Sequence, residues 1–113
     1  MASKIRGFIQ GLFTTPASAR VLGQERLEVI YQNAIGVYER TLAKNREILG
    51  ENHPDTAIDY NNLGEAWNSL GDYQKASVNF EKALAILRGA FPEGHPRIRQ
   101  VEENLAAAIR GQK

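Results

Sequence analysis

Five stretches of the chain place apolar residues at helical spacing, and each is bounded by proline, glycine or both. Ile5, Phe8, Ile9, Leu12 and Phe13 fall at i, i+3, i+4, i+7 and i+8, a single apolar stripe over residues 4–13. Gly7 and Gly11 weaken such a helix by about 1 kcal/mol each relative to alanine, so it must dock on something. Thr14-Thr15-Pro16 ends it, because a residue before proline is pushed out of the helical region. A second pattern runs from about Ala17 to Leu49, with Gly50 suited to the C-cap. Pro54 fits the first helical position, where its missing N–H is no loss, and Asp55 complements the positive end of the helix dipole. These two residues open a third helix, Pro54 to Leu70. Gly71-Asp72 then turns the chain into a fourth, Tyr73 to Ala90. Pro92, Gly94 and Pro96 interrupt the pattern, and a fifth helix runs from Pro96 to Arg110.

The helix around Trp67 has two distinct sides. At about 100° per residue, Tyr60, Leu63, Trp67 and Leu70 share one, which predicts core contact with Ala76, Phe80, Ala83, Leu84 and Leu87 of the following helix. Gly64 beside them allows a close approach of that helix. The other side carries Ile58, Asn61, Asn62, Glu65, Asn68 and Ser69. Asparagine is a poor helix former, so this run calls for a reason other than propensity. A carboxamide offers donor and acceptor at once.

Laid over itself, the sequence repeats at an offset of 42 residues. Tyr31, Gln32, Ala34, Glu39, Leu42, Ala43 and Arg46 pair with Tyr73, Gln74, Ala76, Glu81, Leu84, Ala85 and Arg88. Glu51, His53, Pro54, Asn62, Leu63 and Ala66 pair with Glu93, His95, Pro96, Asn104, Leu105 and Ala108. The pattern Leu63-Gly64, Trp67, Gly71, Tyr73, Ala76, Phe80, Ala83 resembles a tetratricopeptide repeat (TPR). Its longer period, with Gly50-Glu51-Asn52-His53-Pro54 and Asn61-Asn62-Leu63, is similar to the long repeats of the kinesin light chain class.

The resemblance implies an all-α fold of antiparallel helix-turn-helix repeats, a short α-solenoid, carrying the amphipathic N-terminal helix as an addition. It also implies that the first helix of each pair lines a concave surface, where Asn62 and its repeat mate Asn104 hydrogen-bond an extended peptide. The next such helix brings Gln100, Glu103, Ala107 and Arg110, with Arg99 at the edge. The peptide-binding set is therefore Asn61, Asn62, Glu65, Asn68, Ser69, Arg99, Glu103, Asn104 and Arg110. Some TPR domains clamp a C-terminal carboxylate with Lys and Arg at groove positions. Here Ile58, Asn61 and Glu65 stand there, which departs from that pattern.

These elements divide a single domain, residues 1–113, into an N-terminal helix and turn (1–16), a first segment (17–53), a complete repeat (54–95) and a half repeat (96–113). Where the complete repeat turns at Gly71-Asp72, the first segment has Val29-Ile30. Ala19, Leu22-Gly23 and Arg26 match Tyr60, Leu63-Gly64 and Trp67 loosely, as a decayed repeat helix would, but one unbroken helix is the favoured reading. Solenoids usually need about three repeats, so one complete repeat with half repeats beside it predicts self-association, as a dimer. Glu102, Glu103 and Arg110 give the last helix a polar outer face, which ends a stack.

Composition narrows the function. A net charge of +1 argues against a nucleic-acid binder, and the 42% apolar and 24% charged residues are ordinary for a soluble domain. The absence of cysteine removes disulfide and thiolate chemistry and fits the cytoplasm. No run of about 18 apolar residues spans a membrane, and Phe8 to Phe13, broken by Gln10 and Gly11, is too short for a secretory signal. His53 and His95 invite a metal reading, yet they start successive repeats, too far apart to share one ion. Asp55, Asp59 and Glu65 have no partner nucleophile, and no glycine-rich phosphate loop is present. The sequence predicts a protein or peptide partner, no cofactor, no metal and no catalytic residue.

Overall fold

The computed structural model describes the backbone of residues 16–112 and the side chains of residue 23 and residues 25–112, and every regular element among them is helical. These elements are α1 (Pro16–Ile48), α2 (Pro54–Ser69), α3 (Tyr73–Ala90) and α4 (Pro96–Gly111). The expected helix over residues 4–13 lies outside the described residues. The chain divides into two compact units, residues 1–30 and 31–113, and the second holds the packed core.

Local chemistry explains where each helix begins and ends. His53 caps α2, its Nδ1 accepting from the Asp55 N–H at 3.0 Å, and His95 caps α4 through the Arg97 N–H at 3.2 Å. Both precede a proline at the first helical position, which has no N–H to satisfy. Asp72 caps α3 by accepting from the Lys75 N–H at 3.2 Å. Gly50, Gly71 and Gly94 take positive φ values of 95°, 85° and 87° in the connections, a conformation that β-carbons disfavour. Val29-Ile30, at the point matching Gly71-Asp72, offers no such residue, and α1 runs through it unbroken.

Two apolar clusters hold the second unit together. Ala57 and Tyr60 of α2, Ala76, Phe80, Ala83, Leu84, Ile86 and Leu87 of α3, and Ile98, Val101 and Ala108 of α4 form the larger. Fully buried Phe80 and Ile98 contribute roughly 1.5–3 kcal/mol each. Ile35 of α1 meets Leu63 and Ala66 of α2 in the smaller, with Tyr31, Tyr38, Leu42, Trp67 and Leu70 packed around it. Gly64 permits the α2–α3 contact, since a Cβ there would lie 2.5 Å from Phe80 Cε1. Trp67 packs against both clusters, half-buried, with Lys75 Nζ 4.3 Å from its ring centroid.

Polar contacts fasten the end of α1 to α2. Asn45 Nδ2 donates to Asp59 Oδ2 at 2.6 Å, and Thr56 Oγ1 donates to the Gly50 carbonyl at 2.8 Å. Tyr60 OH donates to Glu51 Oε1 at 2.6 Å, and Arg46 pairs with the same carboxylate. The phenol is pushed up to about 12 by burial first and then by this bond, while the bond from Tyr60, foremost, holds Glu51 below its usual range.

Candidate functional site

The two repeat-starting helices, α2 and α4, enclose a cavity of about 340 Å³. Ala57, Ile58, Asn61, Asn62 and Glu65 form one wall, Arg97, Gln100 and Val101 the other, and Leu87 of α3 lies between them. Its floor is therefore apolar, from Ala57, Leu87 and Val101, and its rim carries three carboxamides, a carboxylate and a guanidinium.

The side chains on the rim are already organised. Asn104 Nδ2 donates to Asn61 Oδ1 at 3.0 Å and to Glu65 Oε1 at 3.2 Å, joining the two walls. Asn61 Nδ2 lies 3.4 Å from the same Glu65 oxygen. This triad fixes one end of the cavity and leaves Glu65 Oε2 for another donor. Among the described residues no side chain bonds the carboxamides of Asn62 or Gln100, so both keep donors and acceptors for a ligand. Arg97, at the N-terminal end of α4, supplies a cation and Glu65 an anion to the lining.

The nine residues expected at the site separate. Asn61, Asn62 and Glu65 line the cavity, and Asn104 joins them through the triad. Asn68 is half-buried, and its Oδ1 is fully buried without a hydrogen-bond partner among the described residues. Ser69, Arg99, Glu103 and Arg110 are exposed and are not among the residues lining the cavity. Arg97 was not anticipated. The signal was present in the spacing of Arg97, Gln100, Val101 and Asn104, an i, i+3, i+4, i+7 stripe on one side of α4. It was hidden because the repeat offset compares equal sides of α2 and α4. A cavity between neighbouring helices uses different sides of each, so Arg97 and Val101 correspond to Asp55 and Asp59, away from the asparagine run.

His53 and His95 act as helix caps, and among the described residues no group of three His, Cys, Asp or Glu side chains comes together as a metal site would require. No helix among them is long and apolar enough to cross a membrane.

Comparison with known proteins bears on the fold. Residues 31–89 match the family model described as tetratricopeptide repeat. Over 73 residues, 65% of this chain, the sequence is 30% identical to the human (Homo sapiens) protein named tetratricopeptide repeat protein 19, mitochondrial, and 32% identical to its counterpart from Rattus norvegicus. The matched region spans 18% of the human protein and 19% of the rat protein, so the chain corresponds to a small part of either. With the family model covering both helices of the complete repeat and the half of α1 before it, the chain belongs to the tetratricopeptide repeat family, whose domains are protein–protein interaction modules.

Proposed function

We propose that the chain is an adaptor that holds an extended segment of a partner protein in the cavity between α2 and α4. The observation that carries this reading is the apolar floor beneath two carboxamides, Asn62 and Gln100, that have no side-chain partner among the described residues. A peptide laid there exchanges backbone hydrogen bonds with both amides, while Asn104, held by Asn61 and Glu65, braces the walls. Burial of a side chain on Ala57, Leu87 and Val101 supplies the apolar part of the affinity. The 42-residue interval between the prolines that open α2 and α4 supports a place among the long repeats of the kinesin light chain class. The reading involves no catalytic group, cofactor or nucleic acid.

A peptide array probed with the wild type, Asn62→Ala/Asn104→Ala and Asn62→Ala/Gln100→Ala tests it. Both double variants are expected to lose the partner peptides while keeping the helical circular dichroism spectrum. Identical recovery by all three proteins overturns the groove assignment.

A second reading, self-assembly as a dimer, is supported by exposed Leu27, Val29, Ile30 and Val37 on α1. The compartment follows from neither reading. Cell fractionation separates the cytoplasm, expected from composition, from the mitochondrion that appears in the names of the relatives.

A further inference from the structure

Helix α1 has a side that the repeat pattern prepares for a neighbouring helix. At the 42-residue offset, Ala34, Thr41 and Lys44 correspond to Ala76, Ala83 and Ile86 of α3. Helix α3 lies between α2 and α4. Its Ser77 faces α4, accepting from Gln112 Nε2 at 3.2 Å, and the corresponding Ile35 of α1 faces α2 in the same way. Ala76, Ala83 and Ile86 lie round the helix from Ser77, on the side that takes α2, and all three are buried. In α1 the matching side is open, with Ala34 half-buried, Thr41 and Lys44 exposed, and Val37 50% exposed between them.

The helix that would cover this side is written into the chain but is not returned to it. One residue off the 42-residue spacing, Leu22-Gly23 matches Leu63-Gly64 loosely, and Gly64 admits Phe80, whereas a Cβ at Gly23 would meet nothing within 4 Å. Val29-Ile30 replaces the Gly71-Asp72 turn, and α1 is unbroken there. Leu27, Val29 and Ile30 are each more than half exposed.

We infer that two copies exchange the first halves of α1. Residues 17–30 of each copy lie antiparallel on the open side of residues 31–48 of the other, rebuilding twice the helix pair that α2 and α3 form within one chain. The register that sets Gly23 opposite Tyr38, as Gly64 is opposite Phe80, also sets Leu27 opposite Ala34. It brings Ile30 beside its own symmetry mate, which is the closed two-fold arrangement of a swapped dimer. Two features single out a second copy as the occupant: the complementary half carries the repeat's own glycine, and the turn that would satisfy it internally is missing. The proposal rests on the self-assembly reading and specifies its geometry.

Light scattering on the full chain at tens of micromolar, with cysteine trapping in a sequence that has none of its own, tests it. The wild type is expected at twice the chain mass. Gly23→Cys/Tyr38→Cys is expected to form a disulfide between copies on oxidation, which neither single variant forms. Val29→Gly/Ile30→Asp restores the turn and is expected to halve the mass, and in that background the same cysteine pair closes within one chain. A wild-type dimer that Val29→Gly/Ile30→Asp leaves intact, or that the cysteine pair fails to link, overturns the exchange and keeps self-assembly. A monomeric wild type overturns both.

Discussion

The repeat lets one residue environment serve as the control for another. Asn45 and buried Asp59 form a polar pair where α1 meets α2, and the residues at the 42-residue offset are Leu87 and Val101, both buried and apolar. A buried polar group that loses its hydrogen-bond partner is costly, whereas replacing both partners by apolar groups of similar shape is often neutral. Asn45→Leu alone is therefore expected to destabilise by about 1–3 kcal/mol, and Asn45→Leu/Asp59→Val to recover most of that loss in urea titrations. Gly64→Ala sets two opposed effects against each other. Alanine favours the helix by about 1 kcal/mol, but its Cβ would meet the ring of Phe80, which is fully buried and cannot retreat. Overpacking costs about 1–3 kcal/mol, so a net fall in melting temperature is expected. Tyr60 makes stability depend on alkaline pH. Its folded pKa of about 12 lies above the ordinary 10.0, so its contribution is complete below pH 10.0 and is lost as pH rises toward 12. Glu51, shifted down, contributes above its ordinary 4.5 and loses that contribution on acidification. Tyr60→Phe is expected to flatten part of the stability loss between about pH 10 and 12 in denaturant titrations.

At the level of elements, the sequence was most legible where a single residue type has one structural use. Pro54 and Pro96 marked the starts of α2 and α4, and Gly71-Asp72 marked the turn into α3. The alternation of Ala76, Phe80, Ala83, Leu84 and Leu87 gave the buried side of that helix correctly. His53 and His95 were less transparent, because imidazole serves as ligand, base or cap, and only the 3.0 and 3.2 Å bonds to backbone N–H groups identify the cap. The cap predicts a hierarchy at His53. His53→Ala is expected to cost about 1 kcal/mol, and His53→Asn, which offers another acceptor, appreciably less, by thermal melts. The candidate site was legible on α2 and only partly on α4. Asn104 was found through its equivalence to Asn62, while Arg97 depended on knowing which side of α4 looks back at α2, and a packing direction of that kind is not contained in a one-dimensional offset.

For the whole molecule, the division of the chain makes a claim about where stability and binding reside. Residues 31–113 contain both apolar clusters, the polar contacts joining the end of α1 to α2, and all the residues lining the cavity. Residues 25–30 are all exposed, so their removal takes little from the core. A chain beginning at Tyr31 is accordingly expected to unfold in one cooperative transition near the wild-type midpoint, since cooperativity follows the buried clusters and these are untouched. It should recover the same peptides as the full chain, and lose them on Asn62→Ala/Gln100→Ala. It should also be monomeric, because the half of α1 offered to a second copy is gone while the open side around Val37 stays. Loss of cooperative unfolding would place part of the core in the first unit. A dimer formed by the shortened chain would place the interface elsewhere than on residues 17–30, and peptide recovery that survived the double substitution would move the binding surface away from α2 and α4.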